Sequence, residues 1–193
     1  MSAATMGGST VPVLAVGGGE GSVAEGNPIR IRHIEREAEG YLELGMPDHA
    51  LRALEKLGPR SAVSANGLFL WGETLRSLGR FQEAIEPLDR AAAVDPDNIQ
   101  VWLALGWCHK RTSRLDLAIR DLEVALRSEP TAALVHYNLA CYLSLAGQRD
   151  RAITALAKAL AIDADFRLLV DSEPDFDPIR SDPEFQALVS VVV

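Results

Sequence analysis

The side chains that most often carry chemistry are few and scattered in this 193-residue sequence. It has two cysteines, Cys108 and Cys141, and four histidines, and no pair of these stands at the spacing of a zinc site. Two cysteines in a chain of this length do not form a disulfide framework, so we interpret both as small buried packing residues. His109 and His136 occupy periodic positions, which favours packed and hydrogen-bonded rings over metal ligands.

Two segments approach known ligand-binding patterns and fall short of them. Residues 19–24 match a glycine-rich dinucleotide loop, but Asn27 and Pro28 follow where the loop needs a helix. Acidic residues at 171, 173, 175 and 177 alternate as in a calcium loop, without its central glycine and its final glutamate. No phosphate loop and no nucleophile elbow occurs. We therefore predict no cofactor, no metal and no catalytic centre, and a protein that is not an enzyme.

Charge and hydropathy exclude further classes. The formal net charge is −8, and an acidic chain repels phosphate backbones, so we predict no nucleic-acid partner. No stretch approaches the ~20 apolar residues of a membrane span. Residues 1–26 contain no Lys or Arg, whereas a secretory signal begins with positive charge. These features predict a soluble, cytoplasmic protein without a membrane span.

The elements that position these side chains repeat with a period of 34 residues. The period predicts four units at residues 31–64, 65–98, 99–132 and 133–166. Apolar residues within each unit recur at intervals of three and four, which indicates two helices per unit. The positions that recur at this spacing include Ala50, Ala84, Ala118 and Ala152, then Leu54, Leu88, Leu122 and Leu156, and also Pro96 and Pro130.

Small residues mark where the two helices of a unit cross and where the chain turns. Gly72 and Gly106 stand one period apart, at the predicted crossing point, and Ala140 fills the same position in the fourth unit. Turn positions one period apart should adopt positive φ, which glycine tolerates. These positions hold Gly45, Gly79 and Gly147, with Ser113 in the third unit.

These positions resemble the tetratricopeptide-repeat family. The resemblance covers residues 31 to about 166 and implies an all-α fold, a right-handed superhelix of four helix–turn–helix repeats. It also implies that the first helix of each repeat lines a concave groove. The third unit carries the family pattern most fully, as Trp102, Leu105, Gly106, Ala118, Ala125 and Pro130.

The two ends leave the repeat. Residues 1–26 are rich in Gly, Ser and Ala and predict a flexible tail before a repeat domain at 27–166. Residues 167–193 predict a helical segment that caps the last repeat. Within that segment we expect Phe185 and Leu188 to pack on the end of the stack.

The family resemblance implies a protein or peptide partner bound in the groove, with an apolar and aromatic centre flanked by charges. Arg76, Lys110 and Arg111 supply the basic flank, and Glu35 and Glu39 an acidic one. The predicted partner-binding residues are Phe69, Leu70, Glu73, Arg76, Leu103, Trp107, Lys110, Arg111, Tyr137, Asn138 and Cys141, and Ala104 is expected to line the groove with them.

Three hypotheses for function follow from this groove. The leading one is an adaptor or scaffold that binds a peptide or an amphipathic helix. The alternatives are self-association, through a homodimer or through docking of residues 11–16, and a secretion-type chaperone. A clamp for a partner's C-terminal carboxylate is disfavoured, because the Lys and Asn positions of that subclass hold Glu35, Glu39, Phe69 and Glu73.

Overall fold

Helices are the only regular secondary structure in the parts of the chain that the computed structural model describes, residues 27–58 and 63–190. They follow one another as antiparallel pairs, one pair per 34-residue unit. The pairs are α1 (Pro28–Glu43) with α2 (Pro47–Glu55), α3 (Ala65–Ser77) with α4 (Phe81–Val94), α5 (Ile99–Arg111) with α6 (Leu115–Ser128), and α7 (Ala133–Leu145) with α8 (Arg149–Ile162). The all-α repeat fold predicted from the sequence is confirmed. The tail and the docking segment predicted within residues 1–26 lie outside the described residues.

The turn inside each pair has the backbone conformation that the periodicity predicts. Gly45, Gly79 and Gly147 adopt φ of 67°, 72° and 69°. Ser113 takes the same position in the third unit with φ of 61° and is the one non-glycine residue at positive φ in the described ranges. In all four turns the amide of this residue also donates to the carbonyl oxygen three residues earlier, so the turns share one hydrogen-bonding pattern.

The two helices of a unit approach closely at the predicted small residues. A methyl group at Gly72 would come within 2.5 Å of Leu88 Cδ2, so this crossing has no room for a side chain unless Leu88 shifts. At Gly106 the same methyl group would lie 3.3 Å from Leu122 Cδ2 and 3.4 Å from the Ala118 carbonyl oxygen. The crossing at Gly106 is therefore looser than the crossing at Gly72, and the fourth unit accommodates Ala140 at the same position.

Several helices begin at a side-chain cap. Asn27 Oδ1 accepts a hydrogen bond from the Ile29 amide at 3.0 Å, and Asn98 Oδ1 accepts one from the Gln100 amide at 3.1 Å. Ser64 Oγ accepts from the Gly67 amide at 2.9 Å. These bonds satisfy amides that an α-helix leaves unpaired in its first turn.

The chain after α8 packs back onto the last pair. A 3₁₀ turn (Ala164–Phe166) leads into α9 (Arg167–Val170), a 3₁₀ helix (Pro174–Ile179) and α10 (Pro183–Ser190). Val170, Phe176 and Phe185 are buried in the same core cluster as α7 and α8, and Leu188 packs against it. This C-terminal segment covers apolar surface that a fifth repeat would otherwise bury.

Candidate partner-binding cleft

An open cleft runs across three first helices, α3, α5 and α7. Its walls combine apolar, amide and charged side chains. The lining residues are Phe69, Glu73, Arg76, Gln100, Leu103, Ala104, Trp107, Leu134 and Asn138.

The cleft arises directly from the repeat. Phe69 and Leu103 stand 34 residues apart, as do Gln100 and Leu134, and each pair contributes neighbouring side chains from successive helices. Because the first helices stack in parallel, residues one period apart face the same side of the superhelix. The fold therefore converts a sequence period into a continuous surface.

The apolar part of the cleft is unusually accessible. Trp107 is 36% exposed and Leu134 is 48% exposed, although both are large apolar side chains. Phe69 and Leu103 beside them are half-buried. Exposed aromatic residues at the centre of a concave surface are typical of protein interfaces.

The charged part of the wall is internally neutralised. The Arg76 guanidinium donates from Nε to Glu73 Oε1 at 2.8 Å and from a terminal nitrogen to Glu73 Oε2 at 2.7 Å. This bidentate hydrogen bond raises the pKa of Arg76 above its ordinary value, against a smaller opposing effect of burial. The pair fixes both side chains one helical turn apart on α3.

The two cations at the end of α5 also have partners within the chain. Lys110 pairs with the Asp175 carboxylate of the C-terminal segment, and its Nζ lies 5.5 Å from the Trp107 ring centroid. Arg111 lies 4.8 Å from the ring centroid of Phe81, at the start of α4. Neither residue lines the cleft: Lys110 borders it beside Trp107, and Arg111 points to the second unit.

Three of the residues that the sequence places in the groove are buried instead. Tyr137 stacks on Phe166 with ring centroids 4.9 Å apart and meets Phe176 edge-on at 5.8 Å. Cys141 is covered at the same place, and Leu70 belongs to the core of the first two units. For Tyr137 and Cys141 the reason is the C-terminal segment, which folds over the groove side of α7.

This burial changes the ionisation of the covered groups. Removal from water raises the pKa of Tyr137 and of Cys141 well above their ordinary values. Burial likewise raises the pKa of Cys108 to about 12. Both thiols are therefore protonated at neutral pH, which suppresses nucleophilic chemistry.

Of the two acidic residues predicted to flank the groove on α1, one is buried in the fold. Glu35 is buried and accepts a hydrogen bond from Ser64 Oγ, the side chain that caps α3. Glu35 therefore joins the first unit to the second and is not available to a partner. Glu39 is exposed.

Two lining residues, Gln100 and Leu134, were missed by the sequence prediction. They stand one period apart in the first turns of α5 and α7. The signal that would have found them is the same 34-residue period, applied to the start of each first helix.

A histidine and an aspartate in the core pair with each other. His109 Nδ1 lies 2.6 Å from Asp121 Oδ2, and both side chains are buried between α5 and α6.

Within residues 27–58 and 63–190, no three His, Cys, Asp or Glu side chains converge as metal ligands. Over the same ranges, no helix has both the length and the hydropathy needed to cross a membrane.

Comparison with solved structures finds the same architecture elsewhere. The crystal structure of MamA has a TM-score of 0.65 and 22% identity, covering 72% of this chain and 81% of MamA. MamA from Desulfovibrio magneticus RS-1 has a TM-score of 0.63 and 20% identity, covering 86% of this chain and 95% of that chain. YrrB, described as a TPR protein with an unusual peptide-binding site, has a TM-score of 0.65 and 20% identity, covering 74% of this chain and 73% of YrrB. At these identities the likeness concerns the fold.

Sequence models place the chain in a family. Two models of the tetratricopeptide repeat match residues 69–133 and 133–166, which together span about half of the 193 residues. The chain therefore belongs to the tetratricopeptide-repeat family. No curated protein matches it in sequence.

Proposed function

We propose that this protein is a non-catalytic adaptor that holds an apolar peptide or an amphipathic helix of a partner protein. The site is the cleft between α3, α5 and α7. The observation that carries the proposal is the exposure of Trp107 and Leu134 beside Phe69 and Leu103, on the first helices of three successive repeats, which face one cavity. Burial of such a surface against a partner removes apolar area from water, the main driving force of association.

The electrostatics of the cleft favour a neutral partner segment. Arg76 is neutralised by Glu73, and Lys110 by Asp175. An anionic peptide would have to displace these carboxylates before it gained an ion pair of its own. The amides of Gln100 and Asn138 can both donate and accept, so they suit the backbone of a bound segment.

The comparison with YrrB supports a peptide as the ligand type. That protein is described as having a peptide-binding site, and its repeat fold is similar to the fold of this chain. The residues that would bind here are those of this chain's own cleft.

Selection of a displayed library of random peptides on the full-length protein tests the proposal. A Leu103→Arg, Trp107→Arg double variant serves as the counter-bait. Val94→Arg is the matched control, because Val94 is 67% exposed at the end of α4 and lies outside the cleft. Circular dichroism first establishes that all three proteins are equally helical.

The expected result is a family of enriched peptides with two or more apolar residues that bind wild type and Val94→Arg but not the double variant. Enriched peptides that bind the double variant as well as wild type would overturn the assignment of the cleft.

A further inference from the structure

A second apolar surface lies on the C-terminal segment, outside the cleft. Leu168 is 81% exposed, the highest exposure of any large apolar side chain in the described ranges, and its neighbour Leu169 is 50% exposed. Both line a shallow cavity together with Phe166, Asp163 and Asp165. Two adjacent exposed leucines beside an aromatic ring form a contiguous patch, which in soluble proteins marks interaction sites.

Three carboxylates lie beside or near this patch, and none of them forms a salt bridge within the described residues. Asp163 and Asp165 line the cavity, Asp171 follows Leu168 by one turn, and none of the three forms an ion pair there. Arg167, the one cation of residues 163–171, has contacts of its own.

Most of the acidic residues that follow have charged partners. Glu173 accepts a hydrogen bond from the Asp175 amide at 3.1 Å and forms no ion pair within the described ranges, whereas Asp175 pairs with Lys110 and Asp177 pairs with Arg180 at 2.9 Å. Asp182 pairs with Arg149, which lowers the pKa of Asp182 to about 2. Within residues 163–184, three of the four carboxylates without an ion pair therefore lie beside or one turn from the exposed leucines, which gives this surface both an apolar centre and a negative rim.

We propose that the surface formed by Asp163, Asp165, Phe166, Leu168, Leu169 and Asp171 docks a basic amphipathic helix of a partner protein. Leucine side chains on one face of that helix would cover Leu168 and Leu169. Lysine or arginine residues on its flanks would meet the three carboxylates, and such complementarity selects partners and speeds their encounter. The same negative rim repels anionic membranes and nucleic acids.

This second surface is independent of the proposed function of the cleft. It shares no residue with the cleft, and the two differ in charge. Phe166, which belongs to the second surface, also stacks on Tyr137 and so helps to cover the groove side of α7. A partner could therefore occupy one surface without contacting the other.

Two synthetic amphipathic helices test the proposal with the full-length protein. One carries Leu on one face and Lys on the other, and its matched counterpart carries Glu in place of Lys. Fluorescence anisotropy measures both against wild type, Leu168→Ser/Leu169→Ser, Val94→Ser and Trp107→Arg. The structure predicts that wild type binds the Lys peptide more tightly than the Glu peptide, and that salt removes this difference.

The double Leu variant should bind the Lys peptide about tenfold or more weakly, because the apolar contact of two leucines with the peptide is lost. Val94→Ser should leave this binding unchanged, and Trp107→Arg, which blocks the cleft, should keep the preference for the Lys peptide. An Asp163→Asn/Asp165→Asn/Asp171→Asn variant should bind more weakly with a smaller salt dependence. Equal binding by wild type and the double Leu variant would overturn the proposal. Concentration-dependent sedimentation of wild type that the double Leu variant abolishes would overturn it in favour of a contact between copies of this chain.

Discussion

Trp102 and His136 stand one repeat apart and make the same hydrogen bond. The indole Nε1 of Trp102 donates to the Pro96 carbonyl oxygen at 2.8 Å, and the imidazole Nε2 of His136 lies 2.9 Å from the Pro130 carbonyl oxygen. A carbonyl oxygen only accepts, so His136 carries a proton on Nε2. Each ring ties the first turns of a first helix to the loop that precedes it.

Loss of this tie should weaken the repeat. We expect Trp102→Phe to lower the free energy of unfolding by about 1 kcal/mol beyond any packing change, the net value of a typical hydrogen bond. Urea denaturation followed by circular dichroism measures it. Trp107→Phe is the control, since the Trp107 indole forms no hydrogen bond within the described residues. Equal stability of the two variants would contradict the interpretation.

The turn at Ser113 is strained, and glycine should relieve it. Ser113 has φ of 61°, a left-handed conformation that its three counterparts reach with glycine. Ser113→Gly should raise the melting temperature, with a gain of up to about 1 kcal/mol. Gly147→Ser should cost a similar amount. A less stable Ser113→Gly protein would show that the hydroxyl contributes more than the strain costs.

The two glycine crossings should differ in their tolerance of a methyl group. Gly72→Ala forces Leu88 to move and should destabilise the protein by about 1–3 kcal/mol. Gly106→Ala meets contacts of 3.3–3.4 Å and gains helix propensity, so its effect should be small. Thermal unfolding of both variants checks this ordering, and a larger loss for Gly106→Ala would refute the packing described here.

The C-terminal segment should control access to Cys141 alone. In the native protein both thiols are buried and their pKa values are raised, so neither should react with Ellman's reagent at pH 8. Phe176→Ala removes a fully buried ring that covers α7, and it should expose Cys141 while Cys108 stays protected. Mass spectrometry locates the label. Equal labelling of both cysteines would mean that the segment holds the whole domain together instead of covering α7.

Local chemistry explains why much of the fold could be predicted from the sequence. The positive φ of Gly45 and Gly79 and the close packing of Gly72 against Leu88 were predictable because each depends only on residues within one 34-residue unit. Phe69, Leu103 and Trp107 line the cleft for the same reason, since the period fixes their side of the superhelix.

The burial of Tyr137 could not be predicted in this way. It depends on Phe166 and Phe176, which follow Tyr137 by 29 and 39 residues. Phe166 is the last residue of the repeat pattern, and Phe176 lies beyond it. The period therefore gives the groove side of α7 but not the segment that covers it. The pairing of Lys110 with Asp175 was missed for the same reason, because it joins the third repeat to the C-terminal segment.

Site-specific photo-cross-linking tests the central claim most directly. Benzoyl-phenylalanine in place of Phe69 keeps the aromatic ring and puts a reactive benzoyl group in the cleft, and the same residue in place of Val94 puts it on exposed surface outside the cleft. Irradiation of the source cells should yield a discrete protein adduct from position 69 that Trp107→Arg abolishes, and no such adduct from position 94. An adduct that forms equally from both positions, or that persists in Trp107→Arg, would contradict binding in the cleft.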